Sequence, residues 1–243
     1  MPIFQKPFSK KPEKDNDMEA NKIRWISERH VACVLLLDTS GSMVENDAIG
    51  KLNEGLRVFK HQTITDTTFD EHTKACIDIA IVSFGPDVVL QQGFIPVSEL
   101  DLPILTANGS TPMGGALNMA YDIIQQQKAR YKDLGTPYYR PWIFCITDGE
   151  PNDDYLVPAQ RLKQMENDKK VLGYCVGVEN FKREIMASIF NPDRIFELKN
   201  LNFPALFKFL SNSLVMVRNN DPTAGNTATV YAPTDLHKIN ITF

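Results

Sequence analysis

The chain has 243 residues, 43% of them hydrophobic and 23% charged, with a formal net charge of −4. That length suits one large α/β domain able to bury a core without disulfides. The charge offers no basic field of the kind nucleic-acid binding shows, so nucleic acid is not indicated as a partner. No apolar run approaches the ~18–20 residues that cross a bilayer. Met1 to Ala20 lacks the apolar core of a secretory signal, so no membrane partner and a cytoplasmic location are expected.

Residues 1 to about 28 are polar and proline-punctuated and read as an N-terminal arm. From Val31 to Leu37 the sequence is continuously apolar, as in a parallel strand covered on both faces. Ile49, Leu52, Leu56 and Phe59 recur at helical spacing and predict a helix from about Asn46 to His61. Ala75 to Phe84 and Val88 to Gln91 read as strands joined by the turn Gly85-Pro86-Asp87. A helix follows Pro112, with Met113, Leu117, Ala120 and Ile124 on one face, and Trp142 to Ile146 is a short buried strand.

Further on come a helix near Ala159 to Lys170, a strand Val171 to Val178, a helix near Phe181 to Ile189 and a strand Arg194 to Leu198. The last amphipathic helix carries Phe203, Leu206, Leu210, Leu214 and Val217, and beyond Arg218 the periodicity is lost. This order predicts an α/β fold: a doubly wound, mostly parallel sheet with one antiparallel edge strand and helices on both faces. The domain spans 29–217, between the arm 1–28 and a polar C-terminal tail 218–243. Cys33, Cys76, Cys145 and Cys175 each fall in an apolar, strand-like run without the paired spacing of a zinc site, so they read as reduced core thiols.

In such sheets function gathers beyond the carboxyl ends of the strands. Three polar turns fall there: Asp38-Thr39-Ser40-Gly41-Ser42-Met43, Asn108-Gly109-Ser110-Thr111-Pro112-Met113, and Thr147-Asp148-Gly149-Glu150-Pro151-Asn152-Asp153. Asp38, Ser40, Ser42, Thr111 and Asp148 together offer two carboxylates and three hydroxyls, a hard, all-oxygen set suited to Mg²⁺ or Mn²⁺. The alternation Asp-x-Ser-x-Ser turns every second side chain to one side, and two carboxylates leave a divalent cation able to take a third from outside. Taken singly, the hydroxyls read more simply as turn formers and helix caps. Jointly, with Asp38 and Asp148 each following an apolar strand, the metal reading prevails. Glu150, Asp153 and Asp154 form an acidic cluster beside these turns and read as a solvated loop.

These motifs, in this order, resemble the metal-ion-dependent adhesion site of von Willebrand factor A domains over roughly residues 30–217. The wording Gly109-Ser-Thr-Pro-Met-Gly114 with Thr147-Asp-Gly-Glu-Pro-Asn-Asp153 is similar to the bacterial tellurite-resistance branch of that family. The resemblance implies a non-catalytic module that binds another protein by taking its Asp or Glu onto the cation. It further implies that Thr111 contacts the metal directly in the engaged state and through water otherwise. The final helix, Phe203 to Val217, is amphipathic and lies near the end of the fold, so coupling of its position to that change is expected. A stress-response or phage-defence setting is implied by association. The segment Gln62 to Lys74 and both tails lie outside the resemblance.

Two other classes of function fit parts of this pattern. The cation site is purely structural in the first. In the second the chain is a phosphate-handling enzyme. Against the enzyme, Gly115 and Ala116 stand where a phosphate-binding loop needs Lys and Ser/Thr. Ser40 stands where an aspartate-nucleophile phosphatase carries its general acid, and no Gly-x-Ser-x-Gly elbow occurs. The histidines at 30, 61, 72 and 237 are expected on the surface or in a tail, away from the three turns.

Overall fold

The computed structural model describes residues 25–219 apart from 68, 179 and 180. The arm and tail expected at 1–24 and 220–243 lie outside the described residues, whereas residues 25–28 of the arm are described. Six strands form one sheet: β1 (Val31–Asp38), β2 (Ile77–Phe84), β3 (Val88–Pro96), β4 (Trp142–Thr147), β5 (Leu172–Val178) and β6 (Ile195–Leu198), in the order β3-β2-β1-β4-β5-β6. All pairings are parallel except β2 with β3, the antiparallel edge. The helices are α1 (Ala48–Thr65), α2 (Glu71–Ala75), α3 (Met113–Leu134), α4 (Leu156–Asn167), α5 (Arg183–Ile189) and α6 (Phe203–Asn219).

The continuous apolar run of β1 is buried at every position because each face of the sheet is covered. Val31, Cys33, Leu35 and Leu37 pack with α1 and α6, while Val34 and Leu36 pack with α3, α4 and α5. Burying one such side chain contributes about 1.5–3 kcal/mol. Gly55 lets α1 approach α6 closely, since a Cβ there would stand within 2.5 Å of Phe203 Cβ. One turn on, Phe59 meets Phe207 at a ring separation of 5.6 Å. All four cysteines are buried and free; Cys76 sits in the turn just before β2, not in a strand as expected. Burial pushes the Cys33 thiol well up, as suits an inert core position.

Several boundaries differ from those expected. The first helix begins at Ala48, after a 3-10 turn over Gly41–Asp47, and runs on to Thr65. β3 continues to Pro96 through register shifts opposite Ile79, Ile81 and Val82, an irregularity common at sheet edges. The five-residue α2 was not expected; Asp70 caps it by accepting from the Thr73 N–H at 2.7 Å. Helix α3 ends where Gly135 takes φ +68°, the left-handed cap that favours glycine.

His30 is not a surface residue. Its Nδ1 lies 2.6 Å from Asp78 Oδ2, which also accepts from Tyr131 OH at 2.5 Å. At the same amino end of the sheet, Arg218 near the end of α6 donates to Glu28 Oε2 at 3.3 Å and lies 2.9 Å from His72 Nδ1. The last residues of the expected arm are thus tied to the final helix. His61 is exposed on α1, and His237 lies outside the described residues.

Candidate metal centre

The strand order reverses between β1 and β4, which leave in opposite directions from the middle of the sheet. A crevice forms beyond the carboxyl ends of two such strands. Asp38 is the last residue of β1, and Asp148 follows directly on β4. The fold therefore brings the first and third turns together across 110 residues of sequence. The second turn, leading into α3, joins them through backbone bonds: the Gly41 N–H donates to Gly109 O at 3.1 Å and the Asn108 N–H to Thr39 O at 2.8 Å.

All five expected residues meet here. Ser40 Oγ lies 3.0 Å from Ser42 Oγ, which donates to Asp148 Oδ1 at 2.8 Å. The Ser40 N–H donates to Asp38 Oδ1 at 2.8 Å. Thr111 lies close to Asp38 across Gly149. A methyl built on Gly149 would lie 3.0 Å from Thr111 Oγ1 and 3.6 Å from Asp38 Oδ2. The Ser40 side chain makes no capping bond at the head of the Gly41–Asp47 turn, and the carboxylate of Asp153, not Thr111, caps α3. Helix capping therefore does not account for Ser40 or Thr111.

Asp38 is fully buried, and Thr39, Ser40 and Thr111 are nearly so. Burial pushes the Asp38 carboxyl up from 3.8 to about 6. Hydrogen bonds from Ser40 and Thr147 pull it partly back, and the neighbouring Asp148 charge raises it further. A buried carboxylate beside a second carboxylate favours whatever brings positive charge. The donor set fits a small hard cation. Oxygens at ~2.0–2.1 Å on adjacent octahedral positions stand about 2.9 Å apart, the spacing already held by Ser40, Ser42 and Asp148. Among the described residues no three His, Cys, Asp or Glu side chains cluster as metal ligands. A cation here would accordingly depend on the hydroxyls and on water to complete its shell.

Three residues have structural parts in this site that the sequence reading did not assign them. Thr147, fully buried at the end of β4, donates its hydroxyl to Asp38 Oδ2 at 2.5 Å. Asn152 and Asp153 bind the second turn to the third. Asp153 is no solvated loop residue: its two oxygens accept from the Gly114 and Gly115 N–H groups at 2.9 and 2.8 Å, at the positive end of α3. Of the other acidic neighbours, Asp154 accepts from the Leu156 N–H at 3.3 Å, and exposed Glu150 lies 3.7 Å from Lys182.

No protein-family model and no curated protein sequence matches the chain. Solved structures do share its fold. The pilus adhesin SpaC of Lactobacillus rhamnosus GG superposes with a TM-score of 0.58 at 12% identity, over 77% of this chain and 31% of that one. Proximal thread matrix protein 1 of the mussel byssus, in a form with a zinc-occupied MIDAS motif, gives 0.54 at 14% identity, over 79% of this chain and 46% of that one. The vWF domain of a type V pili tip protein from Porphyromonas gingivalis gives 0.53 at 11% identity, over 80% and 98%. This chain thus spans less than half of the adhesin and of the thread protein. The likeness shows the fold alone: the α/β architecture that these neighbours, among them a vWF domain, share.

Proposed function

We propose that the chain is a metal-dependent protein-interaction module and not an enzyme. Asp38, Ser40, Ser42, Thr111 and Asp148 would hold one Mg²⁺ or Mn²⁺, and the cation's open position would take an Asp or Glu from another protein. The observation that carries this reading is the convergence of those side chains from three separate turns at the carboxyl ends of β1 and β4, around a buried carboxyl that burial holds near 6. The bound cation would supply charge to attract an outside carboxylate. The chain's own part is to fix the oxygens at ligand spacing and to exclude water from Asp38. The neighbour crystallised with a zinc-occupied MIDAS supports a divalent cation at this place in the fold. The likeness of Gly109–Gly114 and Thr147–Asp153 to the tellurite-resistance branch supports a bacterial stress-response setting.

Calorimetric titration with MgCl₂ and MnCl₂ is the test. One cation should bind per chain, with Asp38→Ala and Asp148→Ala losing most of the affinity and Ser42→Ala less. Equal affinity in wild type and Asp38→Ala removes the site. For the partner, capture from cell extract should be abolished by chelator and by Asp38→Ala. Thr111→Ala should weaken the partner more than the cation. If chelator lowers thermal stability and leaves capture intact, the cation is a structural lock, not a bridge.

A further inference from the structure

The third turn holds the second turn and the start of α3 by four hydrogen bonds. The Thr111 N–H donates to Asn152 Oδ1 at 3.1 Å, and the Asn152 N–H returns a bond to Thr111 O at 3.2 Å. Asp153 then takes both the Gly114 and Gly115 N–H groups. These contacts bracket Thr111 on both sides. They come from the loop that also carries Asp148, and Gly149, next to it, leaves little room to spare. Gly149 sits against the Thr111 hydroxyl so closely that a methyl there would require it to shift by a few tenths of an ångström.

We propose that Asn152 and Asp153 are positioning residues that fix Thr111 in the site before any cation arrives. Thr111 and Asp148 then act as a single unit carried by one loop pair. This rests on the metal reading and sharpens it, because it names what sets the Thr111 position. Asn152 clamps the Thr111 backbone from both sides through its amide side chain and its own N–H. Asp153 needs no cation to be satisfied: two backbone N–H groups and the α3 dipole already meet its charge. It is thereby removed from the set of possible metal ligands and serves as an anchor for the start of α3. Outer residues that orient a metal ligand typically affect affinity by about 10–100-fold.

The test combines two readouts on the full chain. In chelator, amide hydrogen exchange should show Thr111, Gly114 and Gly115 protected in wild type, with protection lost in Asn152→Ala at Thr111 and in Asp153→Ala at Gly114 and Gly115. With MgCl₂ as probe, Asn152→Ala and Thr111→Ala should each weaken binding by about tenfold. The double variant should be no weaker than the worse single, since both remove the same ligand. Asn152→Asp keeps the acceptor and should restore protection at Thr111. Unprotected Thr111 in wild-type chelated protein overturns the proposal, as does wild-type Mg²⁺ affinity in Asn152→Ala, or a double variant whose losses multiply. If Asn152→Ala unfolds, Asp153→Asn takes its place, with the same double-variant pattern required. Failure of wild type to bind Mg²⁺ sinks the metal reading alone, and the exchange data still decide the clamp.

Discussion

Two buried aspartates stand at opposite ends of neighbouring strands, Asp38 at the carboxyl end of β1 and Asp78 at the amino end of β2. Asp78 is met by two strong side-chain partners, His30 and the Tyr131 hydroxyl, which hold its Oδ2 at 2.6 and 2.5 Å. Burial first, and then the adjacent Asp78, push the Tyr131 phenol far up, so it stays a donor. Asp38 is met by the Ser40 N–H, the Ser40 side chain and the Thr147 hydroxyl, and the charge beside it is another carboxylate. One aspartate is locked into a pin that ties Trp25, His30 and α3 together. The other is held by hydroxyl and backbone donors beside a second carboxylate. A buried carboxylate becomes a candidate for function through what its neighbours fail to supply, not through burial itself.

The largest expected effect separates the two by cation binding. Asp38→Ala should lower Mg²⁺ affinity at least about a hundredfold by removing a charged ligand, while Asp78→Ala should leave the calorimetric titration unchanged. If Asp78→Ala weakened Mg²⁺ as much as Asp38→Ala, the two ends would be coupled and the contrast would fail. Stability should show the reverse. Asp78→Ala removes the carboxylate that His30 Nδ1 and Tyr131 OH share, at about 1–3 kcal/mol for each buried donor left unmet. Urea denaturation in chelator would measure it.

The contrast also has a pH signature. The folded protein holds the Asp38 proton more tightly than the unfolded chain does. Its contribution to stability is therefore full below the ordinary value of 3.8 and is lost as pH rises through about 6. In chelator, wild type should lose about 2 kcal/mol relative to Asp38→Asn between pH 4 and pH 7, from that displacement. Saturating Mg²⁺ should restore wild type and not the variant. Parallel stability curves for the two proteins in chelator would show that the Asp38 carboxyl is not strained by burial.

Much of this was legible in the sequence for a physical reason. Strands covered on both faces must be apolar throughout, so β1 and β4 announce themselves, and stripes such as Phe203, Leu206 and Leu210 mark a buried helix face. The five oxygen residues were legible because each follows or precedes such an element. The edge strand β3 was cut short because Gln91 and Gln92 lie at a partly exposed edge, where no apolar pattern is required. The start of α4 was missed because Leu156 and Val157 are exposed, so no buried stripe marks it. Thr147, Asn152 and Asp153 escaped for another reason. Their bonds join residues 38 to 109 positions apart, and no local periodicity carries that information.

A third aspartate gives the smallest effect and sharpens the rule. Asp70 is exposed at the head of α2, where it accepts from the Thr73 N–H, one of the donors a helix leaves unpaired in its first turn. Bonds to Thr73 hold its carboxyl below the ordinary range, against a smaller opposing effect of burial, with the His72 and Arg218 charges adding to the lowering. The sign is opposite to that at Asp38. The folded protein releases the Asp70 proton more readily, so the stabilisation is present above the ordinary carboxylate pKa and fades as pH falls through the lower folded value. Asp70→Ala should cost about 1 kcal/mol at pH 7, the usual worth of such a cap, and less as the solution is acidified. Mg²⁺ affinity should not change. Urea midpoints at pH 7 and pH 3 measure the loss. If the Asp70→Ala penalty grew on acidification, donor supply would not be what distinguishes these three carboxylates.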